Sequence, residues 1–179
     1  IHKLSCLLPE IGTIKMLTIR ENRYPFLTKV GNWNRDRAKT GDTLVEKCCH
    51  FFDLFRLLSG AEITNCSSSI QRNLLYGDEE EQFDVGIIDA AYVLLQLAKK
   101  DCPPSIHGCL ELCMYAEGSR HQEEVIVTGL NGRIEAYLPE NKVYLFKRPK
   151  NWTDRSMPPP NITIEKKVFD CNNMREVHG

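Results

Sequence analysis

The segment from Thr40 to Gly60 most constrains the fold, because its apolar residues recur at helical spacing over about six turns. Its apolar face is broad: Leu44, Cys48, Phe51, Phe55 and Leu58, widened by Val45, Cys49 and Phe52. Asp42 or Thr43 is a suitable N-cap, and Ser59-Gly60 provides a stop. The pattern predicts one long helix that is buried on more than one side.

Three polar residues interrupt this helix and lie on one side of it: Glu46, His50 and Asp53, spaced by four and three positions. An imidazole titrates near neutral pH, so His50 is a candidate general base or hydrogen-bond donor. The alternative for His50 is a core histidine with satisfied hydrogen bonds. Glu46 has an alternative too, because it would complete a capping box if Thr43 were the N-cap.

Strand signals surround the helix on both sides. One strand precedes it and five or six follow, with turn signals at close intervals that favour antiparallel pairing. Asn131-Gly132 predicts a type I′ hairpin. The fold class is therefore α+β, a mainly antiparallel open sheet with one long helix packed on one face. The predicted strands are 12–21, 61–71, 85–97, 105–116, 121–128 and 133–138. Residues 143–146 are a candidate sixth strand after the helix, and residues 162–169 a candidate edge strand in the C-terminal extension.

The other face of this sheet has a mixed character. In the strand from Ser105, one side is apolar, whereas the other carries His107, Cys109, Glu111 and Cys113. A half-polar face of this kind is typical of contacts with another subunit or domain.

Length and composition fit one domain with a tail: 179 residues, 42% of them apolar. We expect a domain over residues 1–150 and an extension over 151–179 that adds one edge strand at most. The net charge of −1 gives no electrostatic basis for binding nucleic acid. No run of about 18 apolar residues predicts a membrane span, and no leader is recognisable after Ile1. We expect a piece of a longer protein.

The eight cysteines do not resemble a secreted disulfide framework, because Cys48 and Cys49 are adjacent within the predicted helix. We expect reduced, mostly buried thiols and a cytoplasmic protein, although three Asn-x-Ser/Thr sequons begin at Asn65, Asn151 and Asn161. Cys48, Cys49 and His50 do not have the spacing of a metal site, so we predict no metal. No glycine-rich phosphate-binding loop is present.

Two segments resemble the Gfo/Idh/MocA oxidoreductases, the family of glucose-fructose oxidoreductase and inositol dehydrogenase. Residues 41–54, GDTLVEKCCHFFDL, resemble a family helix in which Gly-Gly-x-Leu is followed by acid-x-x-x-His-x-x-Asp. Residues 127–135, VTGLNGRIE, resemble a late hairpin of the same family. The similarity runs from about Gly12 to Glu140 and corresponds to the family's C-terminal domain.

The resemblance implies a substrate-binding and oligomerising domain of an oxidoreductase that acts on a sugar, a polyol or a related hydroxy compound. It implies that His50 and Glu46 are catalytic residues. His50 would handle the carbinol proton, and Glu46 would orient His50 or bind the substrate. Asp53 and the preceding loop would line the substrate pocket through Lys29, Trp33, Asn34 and Arg35. The implied partners are an N-terminal Rossmann domain that holds NAD or NADP, and further copies of the chain bound through the sheet face.

Two departures from the family pattern matter. Asp42 replaces the second glycine at the start of the helix. The family's Glu-Lys-Pro segment, whose lysine is catalytic, has no match because it belongs to the Rossmann domain. The chain alone is therefore expected to be inactive. The alternative to an enzyme is a catalytically inactive domain of the same fold that serves assembly or ligand binding.

Overall fold

The computed structural model describes residues 1–27, 29–72, 86–149, 156–157 and 165–171. Its helices are α1 (His2–Leu7), α2 (Arg37–Thr40), α3 (Thr43–Glu46) and α4 (Cys49–Ser59), with 3-10 turns at Leu8–Ile11 and Val30–Arg35. Its strands are β1 (Ile14–Asn22), β2 (Glu62–Arg72), β3 (Ile88–Ala98), β4 (Ile106–Cys113), β5 (Glu123–Gly129), β6 (Gly132–Leu138), β7 (Lys142–Lys147) and β8 (Glu165–Asp170).

All eight strands form one sheet in the order β2-β3-β4-β1-β5-β6-β7-β8. Every pairing is antiparallel except that of β1 with β4, which is parallel and central. The prediction of an α+β open sheet that is mainly antiparallel is confirmed. The hairpin between β5 and β6 forms too, but Leu130 and Asn131 are its central residues and neither has a positive φ, so the turn is not type I′.

The core lies on one face of the sheet, under α1 at β6 and β7 and under α4 at the central strands. Leu17 and Ile19 of β1 and Leu110 of β4 are buried under α4, which contributes the buried Phe51, Phe55 and Leu58. The helix crosses the parallel pair so that its first residues lie near the carboxyl ends of β1 and β4. This edge of the sheet is where the candidate site residues of the helix lie.

The opposite face of the sheet is open, with no described helix against it. Met16, Tyr92 and Leu94 are more than half exposed there, at 55%, 57% and 56%. Arg20 forms ion pairs across this face with Glu111 at 3.0 Å and with Glu124 at 3.1 Å. The predicted alternation of an apolar and a half-polar side in β4 is confirmed.

At the chain's end, β8 pairs with β7 and forms an edge of the sheet. Residues 162–164 of the predicted last strand lie outside the described residues, and the division at residue 150 stays a prediction. Among the helices that the structure describes, none has both the length and the apolar character needed to cross a bilayer.

All eight cysteines are described, and all are free thiols. The prediction that most are buried is wrong, because Cys48 alone is. Cys66 is exposed because β2 is an edge strand whose side chains are nearly all exposed. Cys49 is exposed because it lies on the solvent side of α4.

Candidate active site

The helical segment begins at Asp42, which is buried and has φ of 87° and ψ of 167°. Its Oδ1 accepts hydrogen bonds from the backbone N–H of Thr43 at 2.7 Å and of Ile88 at 2.8 Å. Its Oδ2 pairs with the guanidinium of Arg72. Asp42 therefore caps α3 and joins it to the end of β2 and the start of β3.

Because Asp42 is the N-cap, the capping box predicted from Thr43 and Glu46 does not form. Glu46 is half-buried in α3, and its carboxylate has no hydrogen-bond or ion-pair partner among the described residues. The capping role that competed with a site role for Glu46 is thus taken by Asp42. The carboxylate of Glu46 is therefore available to a ligand or a substrate hydroxyl.

The predicted long helix is interrupted between Glu46 and Cys49. Lys47 ends α3, and Cys48 precedes α4 with φ of −105° and ψ of −3°. Cys48 is fully buried, whereas Cys49 and Val45 are exposed, so the predicted widening of the apolar face by Val45 and Cys49 is wrong. The interruption ends the regular spacing on which that prediction depended.

His50 is exposed in the first turn of α4, and its ring packs on Phe51 with 4.2 Å between centroids. Partial desolvation of the ring and the ammonium of Lys47 lower the pKa of His50, while the carboxylates of Glu21 and Glu46 act in the opposite direction. No hydrogen bond joins His50 to Glu46 among the described residues. The lowered pKa favours the neutral imidazole, the form that can accept a proton.

A charged cluster that the sequence analysis missed lies beneath the interruption. Glu21, at the end of β1, is fully buried, and its Oε1 lies 3.1 Å from Arg23 Nη1 and 3.5 Å from Lys47 Nζ. Glu123 of β5 is its cross-strand partner. Burial first, and then the charge of Glu21, raise the pKa of Glu123. The period of two in β1 was the available signal, because Glu21 follows Leu17 and Ile19 on the buried side.

The loop before the helix contains four predicted pocket residues, two of which hold the loop itself. Asn34 is buried and donates from Nδ2 to the carbonyl of Leu27 at 3.0 Å. Arg35 donates from Nε to the carbonyl of Phe26 at 3.1 Å. These bonds fold the loop back on the chain that follows β1. Substrate binding by Asn34 and Arg35 stays a prediction.

The other two residues of this loop contact each other. The ammonium of Lys29 lies 4.6 Å from the ring centroid of Trp33, whose side chain is 41% exposed. This pair is an exposed cationic and aromatic surface on the loop leading to the helix. Among the described residues, neither Lys29 nor Trp33 forms a hydrogen bond, ion pair or ring contact with His50 or Glu46, so the predicted role of this pair in lining the substrate pocket stays a prediction.

Asp53 lies one turn beyond His50 on the solvent side of α4. Its carboxylate is 73% exposed and pairs with Arg56 Nη1 at 3.2 Å. Arg56 in turn pairs with Glu62 of β2. Asp53 is engaged in a surface network near the end of the helix, and its predicted substrate contact also stays a prediction. Among the described residues, no three His, Cys, Asp or Glu side chains are grouped closely enough to hold a metal ion.

Comparison with known families gives a match to the profile described as the oxidoreductase family, C-terminal alpha/beta domain, over residues 8–176. The chain belongs to the Gfo/Idh/MocA oxidoreductase family. The resemblance of the helix and of the late hairpin to this family is thus confirmed. No curated protein sequence matches the chain.

Solved structures with this Gfo/Idh/MocA fold are similar at low identity. An oxidoreductase domain protein from Kribbella flavida has a TM-score of 0.67 at 17% identity, over 94% of this chain and 43% of that one. An NAD binding oxidoreductase from Klebsiella pneumoniae has 0.66 at 14%, over 94% and 43%. UDP-N-acetylglucosamine 3-dehydrogenase from Acidithiobacillus ferrooxidans has 0.60 at 14%, over 93% and 44%. The chain thus spans less than half of each structure, and these similarities show the fold alone.

Proposed function

We propose that this Gfo/Idh/MocA domain belongs to an NAD(P)-dependent oxidoreductase that acts on a sugar, a polyol or a related hydroxy compound. The domain forms the side of the active site that binds the substrate and transfers its hydroxyl proton. The observation that carries the proposal is the pair of polar groups at the start of the helical segment. His50 is exposed with a lowered pKa, and Glu46 is free of any capping role.

Within this proposal, the neutral imidazole of His50 accepts the hydroxyl proton of an alcohol substrate as that carbon is oxidised, and returns it in the reverse direction. Glu46 accepts a hydrogen bond from a substrate hydroxyl and orients it toward the imidazole. Hydride transfer is the chemistry that a bound nicotinamide would supply. A half-exposed site with one base and one carboxylate suits a small polyhydroxy compound better than an apolar one.

The dinucleotide would be held mainly by a Rossmann domain outside this chain. The sequence contains no G-x-G-x-x-G or P-loop pattern of the kind that binds a pyrophosphate. Its contribution would be the helical segment, whose first residues lie at the sheet edge near the carboxyl ends of β1 and β4. The name of the similar Klebsiella pneumoniae structure, an NAD binding oxidoreductase, supports this division of labour.

The open sheet face would join copies of the chain. Its exposed Met16, Tyr92 and Leu94 and its ion-paired Arg20 form a surface of mixed character that suits a subunit interface. Eight free thiols also suit a reducing compartment, so we place the protein in the cytoplasm.

The experiment is turnover of a panel of sugars and polyols with NAD and NADP, using the protein in which this chain is joined to its Rossmann domain. His50→Ala should reduce kcat by about 10²-fold or more, the usual effect of losing a general base. His2→Ala, in α1, is the matched control and should retain turnover. Normal turnover in His50→Ala would refute the role proposed for His50.

The second candidate is a catalytically inactive domain of the same fold that serves assembly or ligand binding. The observation that favours it is Asp42, which stands where the family pattern has glycine and whose two carboxylate oxygens are engaged by the N–H groups of Thr43 and Ile88 and by Arg72. The coding sequence upstream of Ile1 separates the two candidates. A G-x-G-x-x-G unit followed by Glu-Lys-Pro favours the enzyme, and the absence of both favours the inactive domain.

A further inference from the structure

Glu21 is a buried charge beneath the helix interruption. For the fold alone, an apolar side chain would fill this position at least as well. Glu21 lies on the side of β1 that carries Leu17 and Ile19, and none of these three side chains is more than 1% exposed. Burying a carboxylate is expensive unless it is paired. Glu21 is paired, but only through one oxygen, because its Oε2 has no hydrogen-bond partner among the described residues.

Two cations, Arg23 and Lys47, pair with Glu21. Of the two, Lys47 connects Glu21 to the candidate site. Its side chain is 21% exposed, and its ammonium lies 3.5 Å from Glu21 Oε1. Lys47 stands directly between the end of α3 and Cys48, and it precedes His50 by three positions. Lys47 and Cys48 both keep right-handed helical φ and ψ, so the chain continues to turn in the same sense through the interruption. The ammonium of Lys47 is near enough to the imidazole of His50 to act on it electrostatically.

We propose that Glu21 is a positioning residue of the candidate active site, whose buried carboxylate anchors the ammonium of Lys47 at the helix interruption and thereby keeps a positive charge beside His50. This inference rests on the proposed role of His50 as the proton acceptor. It adds two residues to that role, one buried in the sheet and one at the break in the helix.

The surrounding charges are consistent with such an anchor. Arg23 approaches the same oxygen, Oε1, as Lys47 does, at 3.1 Å and 3.5 Å. Glu123, opposite Glu21 on β5, has a raised pKa, and its protonated carboxyl would be a donor for the unpartnered Oε2. The single partnered oxygen of Glu21 thus faces two cations, Arg23 and Lys47.

The consequence for His50 is electrostatic. The charged groups that act on it come from three elements: Glu46 of α3, Lys47 at the interruption and Glu21 of β1. Of these, Lys47 alone favours the neutral imidazole. If the ammonium were free to swing into solvent, the two carboxylates would act without opposition. His50 would then be protonated at a higher pH, where it could no longer accept a proton.

The test measures the pKa of His50 by NMR titration of its imidazole in this chain, assigned from the signal missing in His50→Gln. Lys47→Met should raise the pKa of His50 by about half a pH unit, since a nearby cation is lost from a partly exposed site. Lys47→Arg should leave it near the wild-type value. Lys39→Met removes a charge paired with Asp36 outside the site, and serves as the matched control.

The decisive comparison repeats Lys47→Met in a Glu21→Gln background. If Glu21 anchors Lys47, the further change in the pKa of His50 should be less than half of that seen with Glu21 intact. An equal change in both backgrounds, or no change on Lys47→Met alone, overturns the proposal. If Glu21→Gln does not fold, Glu21→Asp withdraws the carboxylate by one methylene and is judged by the same two outcomes.

This readout is independent of turnover. A normal kcat in His50→Ala would refute the proposed function, yet the coupling of Glu21, Lys47 and His50 would still be measured. Conversely, loss of that coupling would leave the proton-handling role of His50 standing.

Discussion

The carboxylate of Asp42 accepts a hydrogen bond from the backbone N–H of Ile88, 46 residues further along the chain, at 2.8 Å. The same oxygen caps the first turn of α3, and the second oxygen pairs with Arg72. One side chain thus ties the start of the helical segment to the ends of two strands. It does so from φ of 87° and ψ of 167°, a region that normally requires glycine and costs about 1–3 kcal/mol for other residues.

Asp42 should therefore show a specific order of stabilities on substitution. Asp42→Asn keeps one acceptor oxygen but loses the ion pair, and should destabilise the fold by about 1 kcal/mol. Asp42→Ala loses the cap and every contact, leaves the N–H of Ile88 buried and unpaired, and should cost about 3 kcal/mol. Asp42→Gly loses the same contacts but relieves the backbone strain, so it should lie between them.

Urea unfolding of the three variants measures this order. Asp36→Ala is the control, because Asp36 caps the short α2 through one hydrogen bond from the N–H of Ala38. If Asp42→Gly were as stable as the wild-type chain, the contacts of the carboxylate would do no more than offset the backbone strain at position 42.

Glu123 should make stability depend on pH. Its pKa is raised in the folded chain by burial and by the charge of Glu21, so folding favours its protonated form. Its contribution to stability is present below the unfolded pKa of about 4.3 and is lost as pH rises through the higher folded value. Glu123→Gln mimics the protonated carboxyl. It should therefore be more stable than the wild-type chain at pH 7, on the order of 1 kcal/mol, and the advantage should shrink toward pH 4.

Unfolding free energies at several pH values provide the measurement. The exposed Glu117 provides the matched Glu117→Gln control. A difference between Glu123→Gln and wild type that stayed constant across this range would contradict the raised pKa.

Much of this fold follows from spacing in the sequence. Phe51, Phe55 and Leu58 recur at helical intervals and are all buried, and the alternation in β4 places Leu110 in the core as a period of two requires. The burial of these residues is predictable because it depends only on the spacing within one helix or one strand. The register between strands and the parallel pairing of β1 with β4 are not local properties.

The candidate site was less predictable for the same reason. The interruption at Lys47 coincides with a contact to Glu21, which is 26 positions earlier by the numbering of the two residues. Helical spacing continues through the break, so the sequence alone indicates one helix. Asn34 illustrates a different difficulty, because its amide donates a hydrogen bond to the carbonyl of Leu27, a contact that no local pattern in the sequence predicts.

Gly108 should be intolerant of any side chain, because α4 crosses β4 there. A Cβ at this position would lie 3.1 Å from Leu95 Cβ and 3.1 Å from Phe55 Cε1. Gly108→Ala should destabilise the fold by about 1–3 kcal/mol, the usual range for overpacking a core. Phe55→Leu in the same chain makes room, and should recover part of that loss.

A double-mutant cycle by urea unfolding measures this coupling. Additive effects of Gly108→Ala and Phe55→Leu would mean that the ring of Phe55 does not press on β4. The exposed Gly118, with open space around its Cβ position, gives the control substitution Gly118→Ala.

The open face gives a prediction about assembly. Leu94 of β3 is 56% exposed beside Cys109 of β4, in the middle of the face proposed to join subunits. Leu94→Glu places a charge there and should lower the oligomer order, since desolvating an unpaired charge opposes association. Light scattering coupled to gel filtration measures the mass. Leu57→Glu, 65% exposed on α4, is the control and should leave it unchanged.

Adjacent cysteines at the helix interruption should differ sharply in reactivity. Cys48 is fully buried, and burial, followed by the charge of Glu21, raises its pKa to about 12. At pH 8 about one molecule in 10⁴ would carry the thiolate that reacts with an alkylating reagent. Cys49, one position on, is exposed. Iodoacetamide should therefore modify Cys49 in the folded chain and reach Cys48 only after unfolding.

Peptide mapping with fragmentation between the two residues locates the label. Cys49→Ser should abolish labelling of this segment in the folded chain, whereas Cys48→Ser should preserve it. Equal labelling of both cysteines would place Cys48 in solvent and would mean that α3 and α4 form a different helical path. Because Cys48 lies directly after Lys47, such a result would also remove the geometry by which Glu21 reaches the ammonium beside His50.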